Sequence, residues 1–212
     1  MSSRRVVFWR HGRTQWNTAG RFQGQLDVEL DATGVEQAQQ AAKLLARLEP
    51  AAIVSSDLSR AARTAAALGD LTGLGVDLDP ALRETYAGGW QGMVREDITA
   101  NFPAEWAAWG DGADVRPGGD GETRIEVADR VVTSIERRLA ALDSGATLVV
   151  VTHGGSARVA IGRLIGLPPE HWTALGVLSN CAWSVLTEGQ SRFRLIEYNA
   201  GSLPVAPLTD DG

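Results

Sequence analysis

Two runs dominated by apolar residues stand out along the chain, residues 6–9 near the start and 147–151, which opens on Thr147, in the second half. Both lack polar alternation and are rich in β-branched or aromatic residues, which predicts strands buried on both faces. Elsewhere the spacing is helical. Val35, Ala38, Ala42, Leu45 and Leu48 predict a helix over 31–48 that docks one face on a sheet, with Asp31 as its cap and Leu30 and Val35 spaced as a hydrophobic staple. A short strand over 52–54 leads through Ser55, Ser56 and Asp57 into an alanine-rich helix, and 76–78 and Leu82 read as further short strands. Thr123 and Glu126 have capping-box spacing, and Val127, Val131, Ile135 and Leu139 mark the long helix behind them. A helix over 155–165 and strands over 182–186 and 193–198 complete the pattern.

Strands alternating with helices predict an α/β fold, a three-layer α/β/α sandwich around a mostly parallel sheet with an antiparallel edge. The pattern breaks over 86–121, where Trp90, Trp106 and Trp109 stand among prolines and many glycines. That stretch reads as a small lobe or lid of short helices and loops. With 212 residues and no repeat or linker, 1–212 is expected to be one domain carrying this insertion.

Composition narrows the function. A net charge of −6 argues against nucleic acid or an anionic membrane as partner. No run nears the ~20 apolar residues of a membrane span, and with a strand read so soon after Met1 no signal peptide is expected. Cys181 is the only cysteine, so no internal disulfide can form and a cytoplasmic setting is expected. Of the 20 lysines and arginines, only Lys43 is lysine, so a phosphate clamp must be built from arginine and histidine.

Two of the 3 histidines share one context. The first apolar run leads into Arg10-His11-Gly12 and the second into Thr152-His153-Gly154-Gly155. Functional groups in a doubly wound sheet collect at the carboxyl ends of the strands. Both histidines are therefore expected on one rim, each followed by glycine that lets a ligand approach the backbone. One histidine after a strand is more often a core residue; the repeated pattern shifts the balance. Arg60, in the first turn of the alanine-rich helix, offers a planar fork for phosphate oxygens. Glu84, expected at the end of the third short strand, can supply a proton. So few histidines and one cysteine are too few for a zinc site of nitrogen and sulfur ligands. Lys43 is followed by Leu44, which excludes a P-loop.

The block over 10–17, RHGRTQWN, resembles the signature of the histidine phosphatase and cofactor-dependent phosphoglycerate mutase family. The resemblance runs from Arg5 to about Tyr198 through LDATGVEQAQ, SSDLSRAARTA, LRETYAGGWQG, GDGET and VVVTHGG, in that order. It implies a phosphoglycerate mutase-like fold and His11 as a nucleophile that becomes phosphorylated. It implies a phosphate clamp of Arg10, Arg60 and His153, with Gly154 beside it, phosphate contacts from Asn17 and Gln23, and proton donation by Glu84. No cofactor and no metal are called for, and the expected partner is a small phosphorylated molecule; a homodimer is left open. Arg13 departs from the pattern, standing where many members carry Glu or Gln, and its direction is open.

Mutases of the family carry a longer insertion after the proton donor, with added basic residues. The short, lysine-free segment here favours a phosphatase. The stretches RFQGQLDVEL, IVSSDLSRA, LRETYAGGWQG and WTALGVLSNCAW are similar to the branch that dephosphorylates glucosyl-3-phosphoglycerate, and a tryptophan face would suit a sugar. The alternatives are a broad-specificity phosphomonoesterase, a mutase, and a non-catalytic phospholigand-binding module.

Overall fold

The computed structural model describes residues 3–201. In chain order it begins with strand β1 (Arg5–Arg10), a single helical turn α1 (Gln15–Thr18), helix α2 (Ala32–Leu45), strand β2 (Ala52–Ser55), helix α3 (Ser59–Thr72) and strand β3 (Val76–Leu78). Two short helices follow, α4 (Arg95–Asn101) and α5 (Pro103–Gly110), then the long α6 (Arg124–Leu139). Strand β4 (Thr147–Thr152), helix α7 (Gly154–Leu164) and strands β5 (Trp183–Glu188) and β6 (Phe193–Ala200) end the fold.

One six-stranded sheet has the order β3-β2-β4-β1-β5-β6. β3, β2, β4 and β1 are parallel, and β5 runs against both β1 and β6. The antiparallel strand is thus one place in from the edge. Alternate residues of the central strands face opposite layers. Val6, Phe8, Leu148 and Val150 pack with Val131 and Ile135 of α6 and Ala157 and Ile161 of α7. Val7, Trp9, Val149 and Val151 pack with Ala38, Ala42 and Leu45 of α2 and Ala61, Ala65 and Leu68 of α3. Continuous apolar runs are what a strand covered on both faces requires, and the result is the expected α/β/α sandwich.

The Asp31 and Thr123 caps act as read. Asp31 accepts from the Gly34 N–H at 2.8 Å, and Thr123 and Glu126 make a reciprocal capping box. α2 ends at Leu45 and tightens into a 3-10 turn over Ala46–Leu48, and α7 starts at Gly154. One strand assignment is corrected. Leu82 ends a 3-10 turn (Pro80–Leu82), because Pro80 presets the turn and the Asp79 side chain caps the Ala81 N–H at 2.9 Å. Glu84 therefore follows a turn and does not close a strand. Asp77 lies in β3, and Asp79 caps the turn that follows it. Residues 86–121 hold a separate apolar cluster of Ala87, Trp90, Ile98 and Trp109, joined by Phe22, Phe102 and Trp106.

Candidate active site

The β1/β4 register sets Arg10 opposite Thr152, so the residues that follow, His11 and His153, emerge side by side. The His11 backbone is held on both flanks. Its N–H donates to the Thr152 carbonyl at 3.0 Å. Its carbonyl accepts from Cys181 N–H at 3.2 Å and Asn180 Nδ2 at 3.1 Å. Gly12 is pressed against the start of α2, where a Cβ would come within 2.3 Å of the Gly34 carbonyl oxygen.

The His11 Nδ1 lies 2.7 Å from the Gly12 carbonyl. A carbonyl only accepts, so the proton is on Nδ1 and the Nε2 lone pair is left for chemistry. Burial, then the charges of Arg60 and Arg10, hold this ring well below the usual histidine range, against a smaller opposing effect of the Gly12 carbonyl. His153 is fully buried behind it, with Nε2 2.9 Å from Ser56 Oγ. Burial, then Arg60 and His11, push His153 well down too.

Arg10 and Arg60 reach the site as buried side chains braced by main-chain carbonyls. Arg10 Nη1 donates to Leu178 at 2.5 Å. Arg60 donates through Nη1 to Leu26 and through Nη2 to Gly24, both at 2.8 Å. Burial lowers the Arg60 guanidinium to about 10, opposed by Glu84 and Asp27, so it stays cationic at neutral pH. Asn17 is tied by its Oδ1 to the Thr14 N–H at 3.1 Å and to Asn180 Nδ2 at 3.2 Å. Gln23 Oε1 is 3.1 Å from Thr14 Oγ1. The Glu84 carboxylate lies on the N-terminus of α7, accepting from Gly155 N–H at 3.0 Å and Ser156 N–H at 2.9 Å.

These groups share one cavity of about 310 Å³. Arg10, His11, Asn17, Gln23, Arg60 and Glu84 all line it. His153 lies beside His11, with ring centroids 5.1 Å apart, and a Cβ on Gly154 would sit 2.4 Å from Val177 Cγ1 and 3.4 Å from the Arg10 guanidinium carbon. Arg13 points elsewhere, pairing with Asp31 at 2.8 Å and Thr33 Oγ1 at 2.8 Å. Of the insertion's tryptophans, Trp106 and Trp109 line the cavity, whereas Trp90 fills the core beneath them. Sequence reading missed Phe22, Thr85, Arg95 and Glu96 on the wall. Arg95 also stacks over Trp106, 5.4 Å from the ring centroid. The available signal was that the lysine-free insertion is not free of cations. Such a volume suits a small molecule, and the surrounding groups combine an available imidazole lone pair, two buried cations and the Glu84 carboxylate.

The model of the histidine phosphatase superfamily (branch 1) matches residues 6–201. The chain is 43% identical over 189 residues to a glucosyl-3-phosphoglycerate phosphatase of Mycolicibacterium vanbaalenii, covering 86% of this chain and 84% of that one. It is 42% identical over 194 residues to the protein of that name from Mycobacterium tuberculosis, covering 88% and 86%. A solved mycobacterial glucosyl-3-phosphoglycerate phosphatase in complex with VO3 superposes with a TM-score of 0.89 at 42% identity, over 93% of this chain and all of that one.

Proposed function

Because the chain belongs to the histidine phosphatase superfamily (branch 1), we propose that it hydrolyses phosphomonoesters through a phosphohistidine on His11, with glucosyl-3-phosphoglycerate or a related glycosylated phosphoglycerate as substrate. The observation that carries the reading is the His11 ring itself, with Nδ1 committed to the Gly12 carbonyl and Nε2 available at the cavity wall. The similarity to two glucosyl-3-phosphoglycerate phosphatases supports the substrate class.

In this reading the Nε2 lone pair attacks phosphorus in line with the ester oxygen. The N–P bond forms as the ester P–O bond breaks, and Glu84 gives its proton to the departing alkoxide. Water then attacks the phosphohistidine. Glu84 takes a proton from that water, the N–P bond breaks, and inorganic phosphate leaves with His11 restored. Arg10, Arg60 and His153 hold the equatorial oxygens and offset the charge that develops on them. Neither step uses a metal ion. Residues 86–121 act as the lid, and the single thiol suits a cytoplasmic enzyme.

One observation favours a second reading. Arg95 places a cation on the insertion's side of the cavity, where it could retain an anionic product long enough for mutase chemistry; interconversion of 3- and 2-phosphoglycerate faster than phosphate release would establish that activity. The phosphatase reading is tested by quenching wild-type protein during turnover of labelled substrate. Acid-labile, base-stable phosphate is expected, and none on His11→Ala; label on serine or aspartate would overturn the assignment.

A further inference from the structure

We infer that Arg130 and Glu122 are positioning residues for Glu84, joining the stem of the insertion to the proposed proton donor. The inference rests on the reading of Glu84 as that donor. Arg130 lies on α6 and spends its guanidinium on two sets of acceptors. Its Nε donates to Glu122 Oε1 at 2.7 Å and its Nη2 to Glu122 Oε2 at 2.8 Å. Nη1 donates to the main-chain carbonyls of Ala81 at 2.9 Å and Arg83 at 2.7 Å, and Nη2 also donates to that of Glu84 at 2.9 Å. An arginine has five N–H donors, and all are used.

An ion pair near the surface contributes little to stability by itself, so the pairing with Glu122 does not explain this arrangement. The main-chain contacts do. Residues 83–85 belong to no helix or strand, so no ladder fixes the backbone from which the Glu84 side chain departs. Arg130 takes over that task from one side, while the Gly155 and Ser156 N–H groups hold the carboxylate from the other. Only a planar fork can address three carbonyls and a carboxylate together, and a lysine ammonium cannot.

Glu122 extends the connection. Its Oε2 accepts from the Tyr86 N–H at 2.8 Å, and its own N–H donates to the Tyr86 carbonyl at 2.8 Å. Tyr86 opens the insertion and Glu122 directly follows its last residue, so the pair closes it at its base. Gln25 Nε2 strengthens the junction, reaching the Glu84 carbonyl at 3.1 Å and Glu122 Oε2 at 3.3 Å. A displacement of the insertion's stem is thereby transmitted to the Glu84 backbone.

The test compares kcat/KM for an alkyl phosphate, glycerol 3-phosphate, with that for p-nitrophenyl phosphate, whose leaving oxygen needs little proton assistance. The variants are Arg130→Lys, Glu122→Gln and Glu84→Gln, alone and combined, with thermal melts confirming that each folds. Arg130→Lys should lose roughly ten- to a hundredfold on the alkyl ester and less than about threefold on the aryl ester. Residues acting through one another are non-additive, so Arg130→Lys should cost nothing further on the alkyl ester once Glu84 is Gln. Equal losses on both esters, or additive losses in the double variant, would overturn the positioning role and leave Glu84 untouched. Glu84→Gln acting equally on both esters would instead remove the proton-donor reading, and the inference with it. If Arg130→Lys does not fold, Glu122→Gln carries the same comparison, since it keeps the shape of the junction and removes its charge.

Discussion

The rings of His11 and His153 lie 5.1 Å apart, centroid to centroid, at an interplanar angle of 58°. Both are buried, and both feel the charge of Arg60. Neither can take up a proton without placing a third cation beside Arg10 and Arg60. The native state therefore keeps two neutral imidazoles side by side, as the proposed attack by one ring and donation from the other require.

Stability should depend on pH through this pair. Both rings titrate well below the ordinary value when folded, whereas the unfolded chain regains a pKa near ~6.5. Between the two values the unfolded chain binds more protons, so the stabilisation is present above ~6.5 and is lost as pH falls toward the folded values. Each histidine adds a slope of up to about 1.4 kcal/mol per pH unit in that window. Denaturant unfolding between pH 7.5 and 5 should show a shallower fall for His11→Ala than for wild type; matching slopes would remove His11 as a source.

Arg60→Lys should be costly despite conserving charge. The guanidinium braces the Gly24 and Leu26 carbonyls while facing the cavity. An ammonium cannot hold both carbonyls and a phosphate oxygen, so kcat/KM for p-nitrophenyl phosphate should fall at least about tenfold. Retention within about twofold would mean that charge alone suffices.

Gly34→Ala should destabilise the fold and slow catalysis together. Its Cβ would meet the Arg13 carbonyl oxygen at 2.1 Å and the Arg13 nitrogen at 2.7 Å, and neither can yield without moving the segment that carries His11. A loss of about 2 kcal/mol or more is expected. Gly110→Ala at the end of α5, where a Cβ meets nothing within 4 Å, is the control and should stay within about 0.5 kcal/mol. Melting curves decide the comparison.

Selectivity for the glycoside should reside in the insertion. Phosphate and carboxylate are common to glucosyl-3-phosphoglycerate and 3-phosphoglycerate, so discrimination must come from contacts to the sugar. A few such contacts at ~1 kcal/mol each give roughly tenfold to a few hundredfold in kcat/KM. Trp106→Ala should shrink that ratio and leave p-nitrophenyl phosphate largely unaffected. A ratio near one in the wild type would support broad specificity.

The central strands were legible because burial on both faces leaves a continuous apolar run, and the long helices because Asp31 and Thr123 announce their starts. Leu82 misled because a lone buried leucine looks the same in a strand and in a turn, although Asp79-Pro80 was the better signal. For the site, Arg10, His11, Arg60 and Glu84 stood out through their motifs. Ser56 and Asn180 lie inside the matching blocks and Arg130 outside them, but none of the three shows its role in sequence, since their partners are 97, 169 and 46 residues away and only the folded chain brings them together. Arg95 stands in a segment marked only by its lack of lysine, and the fold alone turns it to the cavity wall.

The strand order puts β4 and β1, which deliver the two histidines, in the middle of the sheet, with neighbours on both sides and cover on both faces. Their amides should be among the slowest in the protein to exchange with deuterium, opening only when the whole domain unfolds. Residues 86–121 rest on a smaller aromatic cluster of their own and should exchange through partial openings at lower free energy. Warming would then blunt discrimination between substrates before it reduced turnover of a small aryl phosphate, and that residual turnover would vanish in step with the last protected amides.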